Sequence, residues 1–134
     1  MSTPEQILKH SICDYLAIRY RGQIFFWVQE SVGIWDSTRK IFKNKRGSYQ
    51  RNGIPDILGF IIIESIPVWF GFEVKTRTGR QSPNQKLFQR DAERLGGFYF
   101  IVRSLDDVLF AITQINSKIT KIIGDKKWLQ NQNT

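Results

Sequence analysis

The chain has 134 residues, a formal net charge of +8 and an apolar share of 41%, which is room for one domain with a hydrophobic core and too little for two. Nothing approaches the roughly 20 consecutive apolar residues that a membrane helix needs, and the N-terminus has the pattern of an amphipathic helix instead of a signal peptide, so a soluble, cytoplasmic protein is expected. With one cysteine, Cys13, and one histidine, His10, an internal disulfide and a zinc cluster are excluded. Any metal must be held by carboxylates, whose hard oxygens suit magnesium or manganese.

Thr3-Pro4-Glu5-Gln6 combines a capping residue, a proline suited to the first helical position and a glutamine three after the cap. A helix should start there, burying Ile7, Leu8, Ile12, Tyr15 and Leu16 along one stripe and ending at Tyr20-Arg21-Gly22. His10 and Asp14 fall on its surface. Residues 23–29 are dense in β-branched and aromatic side chains and read as a strand. Residues 30–52 read as irregular, a length that is usually functional in a small domain. Within them Arg39, Lys40, Lys43, Lys45, Arg46 and Arg51 follow one another with no Asp or Glu between. Phosphate contact by these six and a merely solvated loop are equally good accounts of the segment alone, although so large a net charge fits a polyanionic partner.

Residues 56–63 and 68–75 are two strand-like runs joined by Glu64-Ser65-Ile66-Pro67, a length suited to an antiparallel hairpin. Both are nearly continuous in apolar residues and should be covered on both faces. Ser82-Pro83 caps a second helix, with Leu87, Phe88, Ala92 and Leu95 as its apolar face and Gly96-Gly97 as its stop. Residues 98–102 form a fourth strand, and Ser104 with Asp107 caps a last helix carrying Leu105, Val108, Leu109, Ile112 and Ile115. The order αβββαβα argues for an α/β fold, a mixed sheet with helices packed on it, as one domain over residues 1–130 with a frayed tail at 131–134. Trp27, Trp35 and Trp69 could each stack on unpaired bases; core is the expectation for Trp27 and Trp69, and Trp35 stays open between the two.

The pattern that carries chemistry is Gly53-Ile54-Pro55-Asp56 followed across the hairpin by Phe72-Glu73-Val74-Lys75. Alternation along a strand turns Glu73 and Lys75 to one face, and the hairpin returns Asp56 beside them. Two carboxylates and an ammonium then converge at the edge of an apolar sheet, a costly arrangement that a divalent cation relieves. The same set suits phosphodiester hydrolysis, which needs charge neutralisation, an activated water and a stabilised leaving oxygen. Asp56 and Glu73 are the ligands expected for Mg2+, with Mn2+ as a substitute, and the Val74 carbonyl completes the set. Lys75 either orients or deprotonates the water or stabilises the developing charge. An isolated Glu-X-Lys would more simply be an exposed ion pair worth under about 1 kcal/mol; the surrounding motifs favour the site.

Gly53-Ile54-Pro55-Asp56-Ile57-Leu58-Gly59, Phe72-Glu73-Val74-Lys75-Thr76, Ser82-Pro83-Asn84-Gln85, Gly96-Gly97 and Val102-Arg103-Ser104 together resemble the VRR-NUC branch of the PD-(D/E)XK nucleases over the chain up to its final helix. The resemblance implies a restriction-endonuclease-like αβββαβ core with an extra C-terminal helix. It also implies Asp56, Glu73 and Lys75 as the catalytic set, with Gln85 beside them and a glutamate of the first helix as an added ligand. Glu5 fits that last position, and equally fits a first-turn residue interacting with the helix dipole. The family's second signature arginine is replaced here by Ser104. Stand-alone members of this branch are associated with resolving four-way junctions, so a homodimer acting on branched DNA is expected. The stripe Leu105, Val108, Ile112, Ile115, Ile119 and Ile122 would form its interface, unless the helix packs its own core and turns at Asn116-Ser117. The rival readings are a non-catalytic nucleic-acid-binding module, a general or flap nuclease of the same fold, and a sequence-specific restriction enzyme, for which the chain has little room.

Overall fold

The computed structural model describes residues 1–29, 33–44 and 51–133. The chain runs α1 (Pro4–Arg19), β1 (Ile24–Val28), β2 (Gly33–Asp36), β3 (Ile41–Asn44), β4 (Ile57–Ile63), β5 (Ile66–Val74), α2 (Pro83–Arg94), β6 (Phe98–Val102) and α3 (Leu105–Gln132). The central sheet has the order β1-β4-β5-β6. Its first three strands are antiparallel neighbours, and β6 returns parallel to β5 because α2 supplies the crossover that a parallel pair needs. The architecture is α/β, a four-stranded mixed sheet flanked by helices with a long C-terminal helix. Among the described residues no helix is long and apolar enough to cross a membrane.

One sheet face packs on α1 and α3. There Ile57, Ile61 and Ile63 of β4 and Val68, Phe70, Phe72 and Val74 of β5 meet Ile12 and Leu16 of α1 and Val108, Ile112 and Ile115 of α3, all buried. The other face is covered over only half its width, which corrects the expectation that both hairpin strands are enclosed. Phe88 of α2 lies against Trp69 and Tyr99, whereas Phe60, Ile62, Phe25 and Trp27 remain exposed. Trp27 is therefore not a core residue, because β1 is the edge strand and nothing described crosses its outer face.

Local signals set the helix starts. Thr3 with Gln6 and Ser82 with Gln85 form reciprocal capping boxes, each followed by a proline, and the Ser104 hydroxyl accepts from the Asp107 N–H. Periodicity predicted the buried stripes less well. Ile7, Leu87 and Leu95 are exposed; α1 fully buries only Ile12 and Leu16, and α2 buries no residue fully. The last helix passes straight through Asn116-Ser117 and continues to Gln132, into the stretch expected to fray from 131. Its stripe is not free for a partner over the first turns, because Val108, Ile112 and Ile115 are core and Ile119 packs against it.

Two further differences concern the connections. Residues 30–52, read as irregular, contain the antiparallel pair β2 and β3. The density of basic residues hid the strand-forming Ile34-Trp35 and Ile41-Phe42. The β4–β5 turn is the two residues Glu64 and Ser65, both at positive φ (48° and 67°), as a tight hairpin turn requires, so β5 begins at Ile66 and includes Pro67. Pro67 is tolerated there because it is paired with β4 alone, opposite Ile62, and β6 first pairs at Phe70, so on that side no described strand misses its N–H.

Candidate active site

The tight turn fixes the hairpin register, pairing Ile57 with Phe72, and Asp56, one residue earlier, therefore stands opposite Glu73. The approach to Asp56 is shaped by two glycines. Gly53 has φ +77°, and a Cβ there would lie 2.3 Å from the Asn84 carbonyl oxygen, so the loop rests directly on the first turn of α2. Gly71 leaves space for Pro55, whose Cγ would be 2.6 Å from an added Cβ. The Gln29 N–H donates to the Asp56 carbonyl at 2.8 Å, tying the same residue to the end of β1.

Asp56 is held by groups from two elements. Its Oδ2 accepts the Val74 N–H at 2.8 Å, and its Oδ1 lies 3.3 Å from Lys9 Nζ of α1. Glu73 is 4% exposed, and Gln85 Nε2 donates to its Oε1 at 2.7 Å. Lys75 Nζ is 3.5 Å from that same oxygen. Among the described residues Glu73 Oε2 is buried with no hydrogen-bond partner. Burial, with the negative charge of Asp56 beside it, pushes the Glu73 carboxyl up to about 7 against the opposing pull of Lys75. Tyr99 of β6 lies deep on the same face, its phenol held above the ordinary range by burial and then by Glu73's charge.

Gln85 shows how a local motif sets the site. Its Oε1 accepts the Ser82 N–H at 2.8 Å within the capping box, which turns the amide nitrogen toward Glu73. One side chain thus caps the start of the helix and holds the carboxylate. The loop between Lys75 and α2 is tied from behind by Arg103, whose Nη1 donates to the carbonyls of Thr76 at 2.6 Å and Gly79 at 2.7 Å. The Lys75 N–H donates to Val102 O at 3.1 Å.

The structure thus brings Asp56, Glu73, Lys75 and Gln85 together. Val74 contributes its N–H, and because both polar groups of an extended residue point to the same side, its carbonyl also faces the Asp56 side of β5. Glu5 lines the open cleft that Asp56 and Lys9 share. Among the described residues no group of three or more His, Cys, Asp or Glu that could hold a metal ion is found. Lys9, Tyr99 and Arg103 were not singled out for the site in the sequence. Lys9 follows Glu5 by one helical turn and was within reach of that pattern; Arg103 stood within the quoted Val102-Arg103-Ser104 motif but was given no role, and Tyr99 carried no local signal. His10 and Asp14 are exposed on α1, 4.0 Å apart.

Of the six basic residues, Arg39 and Lys40 are exposed at the β2–β3 turn. Arg51 is bound to Asp91 of α2, with its guanidinium 5.7 Å from the Phe88 ring centre. Lys45, Arg46 and the side chain of Lys43 lie outside the described residues, as does that of Trp35. No family model, curated protein or solved structure matches the chain.

Proposed function

We propose that the protein is a metal-dependent endodeoxyribonuclease with a restriction-endonuclease-like core, of the VRR-NUC branch of the PD-(D/E)XK nucleases, as its motifs resemble. The observation that carries this reading is the pairing of Asp56 with the buried Glu73, whose Oε2 has no partner in the described chain, within reach of Lys75 and Gln85. Two carboxylates with a buried unshared oxygen fit a hard divalent cation, and Asp56, Glu73 and the Val74 carbonyl would hold Mg2+. When bound, such a cation neutralises the phosphate, lowers the pKa of a water and stabilises the leaving oxygen.

The chain's own groups do the rest. Gln85 and Lys75 hold the Glu73 carboxylate in place, and Val74 and Lys9 hold Asp56. Lys75, 18% exposed, is positioned to donate to a phosphate oxygen or orient an attacking water. Lys9 and Lys75 bring two positive charges beside the carboxylates, favouring entry of the polyanion. The test is cleavage of duplex, flap, single-stranded and four-way-junction DNA with magnesium and with EDTA. Magnesium-dependent cleavage lost in Glu73→Ala supports the reading, and cleavage by Glu73→Ala at the wild-type rate refutes the site. Junction preference and a homodimer rest on the resemblance alone.

A further inference from the structure

The uncovered half of the sheet is on the same face as the carboxylates. Residues 56, 58, 60 and 62 alternate to one side of β4, and the register pairs Phe25 with Phe60 and Trp27 with Leu58 on that side. Phe25 is 68% exposed, Trp27 41%, Phe60 42% and Ile62 42%. The Phe25 and Trp27 rings are 5.8 Å apart and tilted by 59°, so neither ring covers the other's face. Together the four leave roughly 400 Å² of apolar surface in water, in the range of the largest patch on a typical monomer, which is often functional.

We propose that this aromatic half-sheet is a platform on which unpaired bases of the nucleic-acid substrate stack, next to the carboxylate pair; this rests on the nuclease reading above. Position and charge select this occupant. Trp27 sits opposite Leu58, two residues from Asp56, about 7 Å along the strand, the length of about two stacked nucleotides. The next described element after β1 is the hairpin bearing the exposed Arg39 and Lys40, and the chain as a whole carries +8. Rings with open faces on a chain of such net positive charge suit bases joined by phosphates. A second copy of the chain would need about 800 Å² per partner, about twice the patch. Stacking on π-faces tolerates any base, so the platform recognises strand opening and not sequence.

The test is fluorescence anisotropy in EDTA, which removes cleavage, with a labelled thymidine 12-mer and an abasic strand of equal length as probes. Trp27→Leu should weaken the thymidine strand about tenfold, Trp27→Phe should stay within about twofold of wild type, and all three proteins should bind the abasic strand alike. Phe25→Leu, at the most exposed ring, is the parallel variant should Trp27→Leu lower the melting temperature. Unchanged thymidine binding in folded leucine variants overturns the platform, as does an equal loss on the abasic strand. A wild-type dimer that Trp27→Leu converts to a monomer in sedimentation also overturns it, assigning the patch to a second copy. Base-dependent binding without any magnesium-dependent cleavage would count against the nuclease reading alone, and cleavage without base-dependent binding against the platform alone.

Discussion

In the proposed metal site two requirements conflict at Glu73: as a ligand it would have to be ionised, yet burial and Asp56 hold its proton up to about 7. A carboxyl whose folded pKa is raised binds its proton more tightly in the native state, so its stabilising contribution is complete below 4.5 and is lost as pH rises through about 7. In EDTA the melting temperature should therefore fall across that window, and Glu73→Gln should flatten the curve. Added Mg2+ should raise the melting temperature at pH 8 and leave it unchanged at pH 5. Differential scanning fluorimetry measures both, and a level wild-type curve in EDTA would contradict the buried acid. Alanine at Asp56, Glu73 or Lys75 should cut cleavage by about a hundredfold or more with DNA affinity retained. Removing either carboxylate should tighten metal-free binding, since it removes repulsion toward phosphate.

At the scale of elements, the site depends on contacts that hold a hairpin, a helix start and a loop together. Gly53→Ala would drive a methyl into the Asn84 carbonyl and require a left-handed φ. It should destabilise the fold by about 1 to 3 kcal/mol in urea denaturation and displace Gln85 from Glu73. Arg103→Ala removes the donor shared by the Thr76 and Gly79 carbonyls. Its expected cost is about 1 to 2 kcal/mol, together with faster amide exchange in residues 76–81 and lower cleavage. Arg103→Lys should not restore the loop, because a single ammonium lacks the planar guanidinium fork. A protection pattern equal to wild type in Arg103→Ala would show that the loop holds itself.

For the whole molecule, charge and assembly matter most. Neutralising Arg39 and Lys40 together should flatten the log-log salt dependence of duplex binding by about 0.9 for each lost phosphate contact; an unchanged slope would remove the hairpin from the DNA interface. Arg51→Ala acts differently, since its guanidinium is engaged by Asp91 on α2, and it should lower stability as well as affinity. An assembled dimer would have to use surface other than Val108, Ile112 and Ile115, which the core already occupies. Light scattering at micromolar concentration decides whether two copies associate.

The two-residue turn at Glu64 and Ser65 is what set Asp56 opposite Glu73. What the sequence determined by itself was governed by short range: the capping boxes at Thr3 and Ser82, the stops at Tyr20 and Gly96, the strand character of residues 57–63, and a hairpin that returns the strand of Glu73 alongside the one that follows Asp56. These follow from backbone geometry and side-chain alternation, which operate within a few residues. Tertiary structure alone decided which apolar residues are buried, because periodicity marks a face without saying what stands opposite it. Ile7, Leu87 and Trp27 are exposed, whereas Val108 and Ile112, left open by the sequence between a partner's surface and the helix's own core, are buried in the core. It also decided the roles of Lys9, Tyr99 and Arg103, since each reaches the site across a long separation in sequence, and such contacts exist only once the layers have packed.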